Sequence, residues 1–158
     1  MADASSLEIR RDNKILMLTL NRPEVRNAFT AEMNTQMAEA ILAADFDDDI
    51  AMIAITGAGD KAFCSGADLN EARQAADAGE VFRGPLRTTR RGLFEVMIDS
   101  KKPIMAIVNG PAIAGGFELA LAADIRIAAE DAYFALPEAK RARGAHFLRI
   151  FDNSAVAA

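Results

Sequence analysis

KKPIMAIVNGPAIAGGFELALAADIRIAA, residues 101–129, decides the architecture. Its first third is a short continuous apolar run, the pattern of a strand covered on both faces. GPAIAGG then brings a proline and two adjacent glycines, which predicts a tight turn. FELALAAD continues as a helix and DIRIAA returns to strand. Strand, helix and strand in this order indicate an α/β protein. Two details are odd for a soluble helix start. Glu118 is a lone carboxylate in an apolar run, and Gly115 and Gly116 leave their backbone amides bare.

Working outward toward the N-terminus, LEIRRDNKILMLTLN reads as a hairpin turning at Asp12-Asn13. Thr30 can cap a helix whose apolar positions are Met33, Met37, Ala40, Ile41 and Ala44. The acidic run Asp45 to Asp49 ends it. IAMIAIT, from Ile50, is a second strand of the type buried on both faces. GAGDKAFCSGAD follows as a loop, and Asn70 to Gly84 is the expected mobile segment. LRTTRRGLFEVMIDS reads as helix, and AYFA as a last strand. Both buried strands end in glycine-containing loops, where ligands collect in open α/β sheets.

A chain of 158 residues suits one domain with a real core. Its net charge of −5 argues against a general nucleic-acid surface. A polyanionic ligand remains compatible, since that needs only a local positive field. No apolar run reaches transmembrane length, and MADASSLEIR has no signal-peptide core, so no membrane partner is expected. Cys64 is the single cysteine, which precludes an internal disulfide and makes a reducing, cytoplasmic setting the default.

The chemistry-bearing residues are few. A glycine pair at a helix start admits close approach to amides that lack intrahelical partners, beside the positive end of the dipole. Gly115 and Gly116 can therefore receive an anion or a developing oxyanion. They equally suit a tight turn that has no room for side chains. In GAGDKAFCSGAD, Gly57 and Gly59 are followed by Ala62 where a dinucleotide fingerprint needs glycine, and no G-K-[ST] occurs. Glu118 and Glu138 both have apolar neighbours. Each is either a solvated surface position or a functional carboxylate. Burial and mutual repulsion would raise the pKa of at least one, as acid–base chemistry requires. Cys64 reads as a small buried hydrophobe. His146 alone cannot form a metal site. Arg83 to Arg91 reads as a solvated helix face.

NRPEVRNAF, KAFCSGADL and KKPIMAIVNGPAIAGGFELALAADIRIAAEDAYFALPE together resemble the crotonase (enoyl-CoA hydratase/isomerase) superfamily, in unbroken order from Leu7 to Arg141. The resemblance implies an α/β, crotonase-like spiral of ββα units and stabilisation of a thioester enolate. It implies an oxyanion hole from the backbone amides of Ala67 and Gly115. It places a water between Glu118 and Glu138, with Glu138 exchanging the proton and Glu118 positioning the water. Ala67, Asp68, Leu69 and Asn70 would line the thioester and pantetheine, and Arg26 and Ala28 the nucleotide end of CoA. The implied reaction is syn addition of water to a trans-2-enoyl-CoA, with no cofactor apart from the CoA of the substrate. The implied assembly is a homo-oligomer, a trimer or hexamer.

After Arg141 the resemblance stops. Residues 1–141 read as the spiral core, and 142–158 as a divergent tail in place of the family's C-terminal helical region. A frame change or early stop is the expected origin. The loss would expose apolar surface and remove residues that bind CoA. Three alternatives follow: an enoyl-CoA isomerase or other crotonase reaction, an inactive acyl-CoA-binding or assembly protein, and, more remotely, a nicotinamide-binding protein.

Overall fold

The computed structural model describes residues 5–77 and 91–137. Five strands form the main sheet, side by side in the order β1 (Leu7–Asp12), β2 (Ile15–Leu20), β3 (Met52–Gly57), β4 (Ile104–Val108) and β6 (Ile125–Ala128). β5 (Ala112–Ile113) and β7 (Phe134–Ala135) pair separately and in parallel. The helices are α1 (Ala31–Ala44), α2 (Leu69–Asp77), α3 (Leu93–Ile98) and α4 (Gly115–Ala122).

β1 and β2 form the expected antiparallel hairpin, with Leu7 opposite Leu20 and Asp12 opposite Ile15. Asn13 turns it in the left-handed conformation, at φ 53°, which asparagine tolerates better than most residues. The remaining pairings of the main sheet are parallel. Ile53, Ala54 and Ile55 of β3 are consecutive and buried, so both faces of that strand are covered. β4 is less symmetric: Ile104, Ala106 and Val108 are buried, while Met105 and Ile107 are half-buried. β1 is an edge strand whose Glu8, Arg10, Arg11 and Asp12 are exposed. Such charges discourage further strand pairing.

Thr30 caps α1 by accepting the Met33 amide at 3.2 Å. Met33, Met37, Ile41 and Ala44 face the sheet and are buried, and Ala40 is half-buried. The helix stops as the acidic run begins. Asp45 then receives the Ser100 hydroxyl at 3.0 Å and the Lys101 amide at 2.9 Å, joining the end of α1 to the approach of β4. Leu93, Phe94, Val96 and Met97 of α3, and Leu119 and Ala120 of α4, complete one continuous core with these residues.

Strand order follows chain order without reversal. Each crossover therefore steps in the same direction along the sheet. No topological switch point exists among the described strands. The crevice that strand reversal opens in doubly wound sheets is absent, and the site must lie elsewhere.

It lies in a second layer of short parallel pairings. Phe29 bridges Ala67, Cys64 bridges Ala112, and β5 pairs β7. Every turn of the chain thus contributes a strand to the main sheet, then a short segment to this second layer. The described architecture is a spiral of ββα-type units. GPAIAGG is accordingly not only a tight turn. Its Ala112 amide donates to Tyr133 O at 2.9 Å and its Ile113 amide to Cys64 O at 2.9 Å. Two residues are too few to show strand periodicity, so neighbouring turns decide this segment. The stretch from Asn70 to Gly84 begins within a helix. Residues 70–77 belong to α2, and 78–84 lie outside the described residues. Of LRTTRRGLFEVMIDS, Leu93–Ile98 is helical, and its first five residues lie outside them.

Candidate active site

The loop after β3 meets the start of α4 at the second layer, and backbone hydrogen bonds show what is left over there. Phe63 N and Cys64 N donate to Pro111 O, Ser65 N to Arg26 O, and Asp68 N to Phe29 O. Gly66 N is held by Cys64 Sγ at 3.4 Å. In this run the Ala67 amide has no acceptor among the described residues. The same census at α4 gives a second gap. Ala112 N, Ile113 N and Ala114 N donate to Tyr133 O, Cys64 O and Ala135 O. Phe117 N and Glu118 N both donate to Ala114 O. Gly115 N and Gly116 N find no acceptor among the described residues, as first-turn amides do not within a helix.

Peptide planarity fixes where these amides aim. In a trans peptide the N–H points opposite to the C=O of the same unit. Gly66 O is bound by Phe29 N at 3.0 Å, so the Ala67 N–H points away from that bridge. Ala114 O is drawn into α4, so the Gly115 N–H points back out of the helix start. The two segments that carry these amides meet at Gly66. A methyl group built on Gly66 would lie 3.0 Å from Ala114 Cβ and 3.2 Å from Gly115 N. Gly66 also has φ +95°, a conformation reserved for glycine. Ala114 itself holds φ 55°, ψ −125°, backbone strain of about 1–3 kcal/mol kept at the point where the Gly115 amide is oriented.

Glu118 follows Gly115 by one helical turn on α4 and is only 4% exposed. The solvated reading of this residue is thereby excluded. Glu138 lies outside the described residues, as do His146, Arg83 to Arg90 and the tail 142–158. Arg91 is exposed, pairs with Asp99 and donates to Glu95 O at 3.2 Å.

Of the residues expected to touch CoA, Ala67 directly follows Gly66, which packs against Gly115. Leu69 is 81% exposed beside them, at the start of α2, and Asn70 is exposed with its amide on Asp68 Oδ1 at 2.9 Å. Arg26 is exposed at φ 56°. Ala28 is buried, and its carbonyl accepts from Arg22 Nη1 at 2.8 Å. Asp68 is buried and engaged: its Oδ2 meets Arg22 Nη1 at 2.7 Å. Burial by itself would raise the Asp68 pKa. The Asn70 amide and the Arg22 guanidinium outweigh it and hold the carboxyl below its ordinary 3.8. A polar hollow of about 450 Å³ opens alongside, lined in part by Arg22, Thr30, Asp68, Glu71 and Arg73.

Two residues escaped the sequence reading. Arg22 links the 28–29 and 67–68 segments. Asn27, fully buried, donates to Ala58 O at 2.9 Å and Ala62 O at 2.8 Å and accepts the Arg22 amide at 3.1 Å. Their partners Asp68, Ala58 and Ala62 are distant in sequence, so no local spacing marks those links. Cys64 is buried as expected, and desolvation pushes its thiol up to about 12, against a weaker lowering by the Gly66 amide. No group of three metal-ligating side chains occurs among the described residues, and no helix among them is long and apolar enough to cross a membrane.

Known proteins resemble this chain in sequence and fold. The family model described as enoyl-CoA hydratase/isomerase matches residues 10–145. A carnitinyl-CoA dehydratase of Salmonella paratyphi B is 44% identical over 137 residues, covering 87% of this chain and 51% of its own length. A crystal structure of an enoyl-CoA hydratase from Mycobacterium tuberculosis H37Rv superposes with a TM-score of 0.76 at 34% identity, over 90% of this chain and 53% of that one. One of an enoyl-CoA hydratase/carnithine racemase from Magnetospirillum magneticum gives 0.71 at 31%, over 90% and 53%. The chain spans about half the length of the curated relatives it matches. From its sequence and its spiral alike, the chain belongs to the enoyl-CoA hydratase/isomerase family, within the crotonase superfamily.

Proposed function

We propose that this chain catalyses reversible addition of water to a trans-2-enoyl-CoA. The supporting observation is that the Ala67 and Gly115 amides, both without an acceptor among the described residues, belong to two segments packed against each other at Gly66. A thioester oxygen seated between them receives two N–H donors. As water adds at the β-carbon, negative charge moves onto that oxygen, and each donor is worth about 3 kcal/mol in the transition state. Glu118 accepts a hydrogen bond from the water and holds it. Glu138 takes the water's proton as the C–O bond forms and delivers a proton to the α-carbon. The product is a 3-hydroxyacyl-CoA with its thioester intact. CoA arrives with the substrate, so the reading calls for no separate cofactor. The dehydratase name of the Salmonella relative favours including the reverse direction, loss of water from a 3-hydroxyacyl-CoA such as carnitinyl-CoA.

The test is loss of the enoyl-thioester absorbance of crotonyl-CoA, with product identification. A 3-hydroxyacyl product, and a fall in kcat of about 10²-fold or more in Glu118→Gln and Glu138→Gln, is the expected result. A shifted double bond instead identifies an isomerase. Binding of acyl-CoA without turnover overturns the catalytic reading and leaves a binding protein.

A further inference from the structure

We propose that Arg22 and Asp68 form a positioning clamp that aims the Ala67 amide. The inference rests on the oxyanion role given to Ala67 above. The peptide that carries the Ala67 N–H is held directly by the pairing of Phe29 with residues 66–68. Phe29 N holds Gly66 O at 3.0 Å and Asp68 N holds Phe29 O at 3.0 Å. A two-bond ladder between loop segments is weak in isolation, since each bond largely replaces one made to water. Arg22 ties its two sides together. Nη1 donates to Ala28 O at 2.8 Å on one side and meets Asp68 Oδ2 at 2.7 Å on the other.

The clamp is itself well supported. The Asp68 side chain is 7% exposed and that of Arg22 21%, so the ion pair is little screened by solvent. Asp68 Oδ1 is occupied by the Asn70 amide, and the Arg22 amide is held by Asn27. Each carboxylate oxygen of Asp68 thus has a partner inside the fold. Loosening the clamp frees the Gly66–Ala67 peptide to rotate, which misaims one oxyanion donor while leaving the surfaces that would contact CoA in place.

The experiment is infrared difference spectroscopy of the thioester carbonyl of bound crotonyl-CoA, with and without a carbon-13 label, alongside kcat and KM. The parent chain is compared with Asp68→Asn, which keeps an acceptor for the Asn70 amide, and with Arg22→Lys, which keeps the charge. Circular dichroism checks that each variant is folded. The parent is expected to shift the carbonyl stretch to lower frequency. Asp68→Asn returns it toward the free value and lowers kcat by about 10-fold or more with KM within about 2-fold, because small misplacements weaken oriented donors steeply. Arg22→Lys recovers part of both. A full downshift and unchanged kcat in folded Asp68→Asn overturns the clamp and leaves the oxyanion hole standing. A parent chain that shows no downshift, or does not bind the thioester, overturns the oxyanion hole and the clamp with it.

Discussion

Gly116→Ala tests how closely the two halves of the candidate site are packed. A Cβ at this position would sit 2.2 Å from Cys64 O, 2.8 Å from Cys64 C and 2.8 Å from Cys64 Cβ. These are mainly backbone and near-backbone atoms of a segment paired on both sides, and Cys64 O already accepts from Ile113 N at 2.9 Å. An ordinary contact needs about 3.4 Å, so the start of α4 and the Cys64 loop must separate by about 1 Å. Alanine's better helix propensity offers at most about 1 kcal/mol. Overpacking of this kind typically costs about 1–3 kcal/mol, more where backbone cannot yield. The clash therefore wins, by about 2 kcal/mol, which for a chain of this size lowers Tm by roughly 4–8 °C. The same displacement moves Gly115 relative to Ala67. A 1 Å error between oriented groups lowers kcat by about 10²-fold. The assays are calorimetric or circular-dichroism melting, and crotonyl-CoA hydration by the folded variant. Gly110→Ala is the comparison, since its Cβ meets nothing nearer than Ala62 Cα at 3.2 Å. If Gly116→Ala melts and turns over like the parent, the close apposition of α4 and the Cys64 loop is refuted.

Other outcomes follow from single features. Cys64 ionises near pH 9.0 when exposed and near 12 in the fold, so its neutral form is favoured by folding. That contribution is intact below pH 9 and is lost as pH rises toward 12, by about 1.4 kcal/mol per unit. Melting at pH 8 and pH 10.5 should show a drop that Cys64→Ala reduces. Native protein at pH 8 should also resist thiol alkylation that the unfolded chain undergoes. Asp68 has the opposite sign. Its carboxyl is held below 3.8 in the fold, so its stabilisation is present above that pH and is lost as pH falls further. Asp68→Asn should lower Tm at pH 7 and do so much less at pH 2.5. Thr30→Ala removes the acceptor for the Met33 amide and should lower unfolding free energy by about 1 kcal/mol in urea titration, with an unchanged m-value.

Short-range pattern was enough for the elements that stabilise themselves. The hairpin shows in its alternation and its Asp12-Asn13 turn, and α1 in Thr30 and the spacing of Met33, Met37 and Ile41. β3 shows in an unbroken apolar run. In each case the hydrophobic period or the cap lies within a few residues of the element it predicts. The bare amides of Gly115 and Gly116 were visible for the same reason, because a glycine pair before an apolar helix is a local signal. Glu118 was ambiguous from its neighbours alone. Only burial against the rest of the spiral decides that it is enclosed.

What the string of residues could not express is which turn of the spiral lies against which. The monotonic strand order, the pairing of Ala112–Ile113 with Phe134–Ala135 and the bridges of Phe29 to Ala67 and Cys64 to Ala112 all join segments far apart in the chain. These pairings are between backbones and leave no periodicity behind. They nonetheless determine the site. The Ala67 amide is available because Phe29 holds the opposite end of its peptide. The resemblance places Asp68 along the thioester and pantetheine, and the fold adds an ion pair to Arg22, a residue brought to it by the spiral alone.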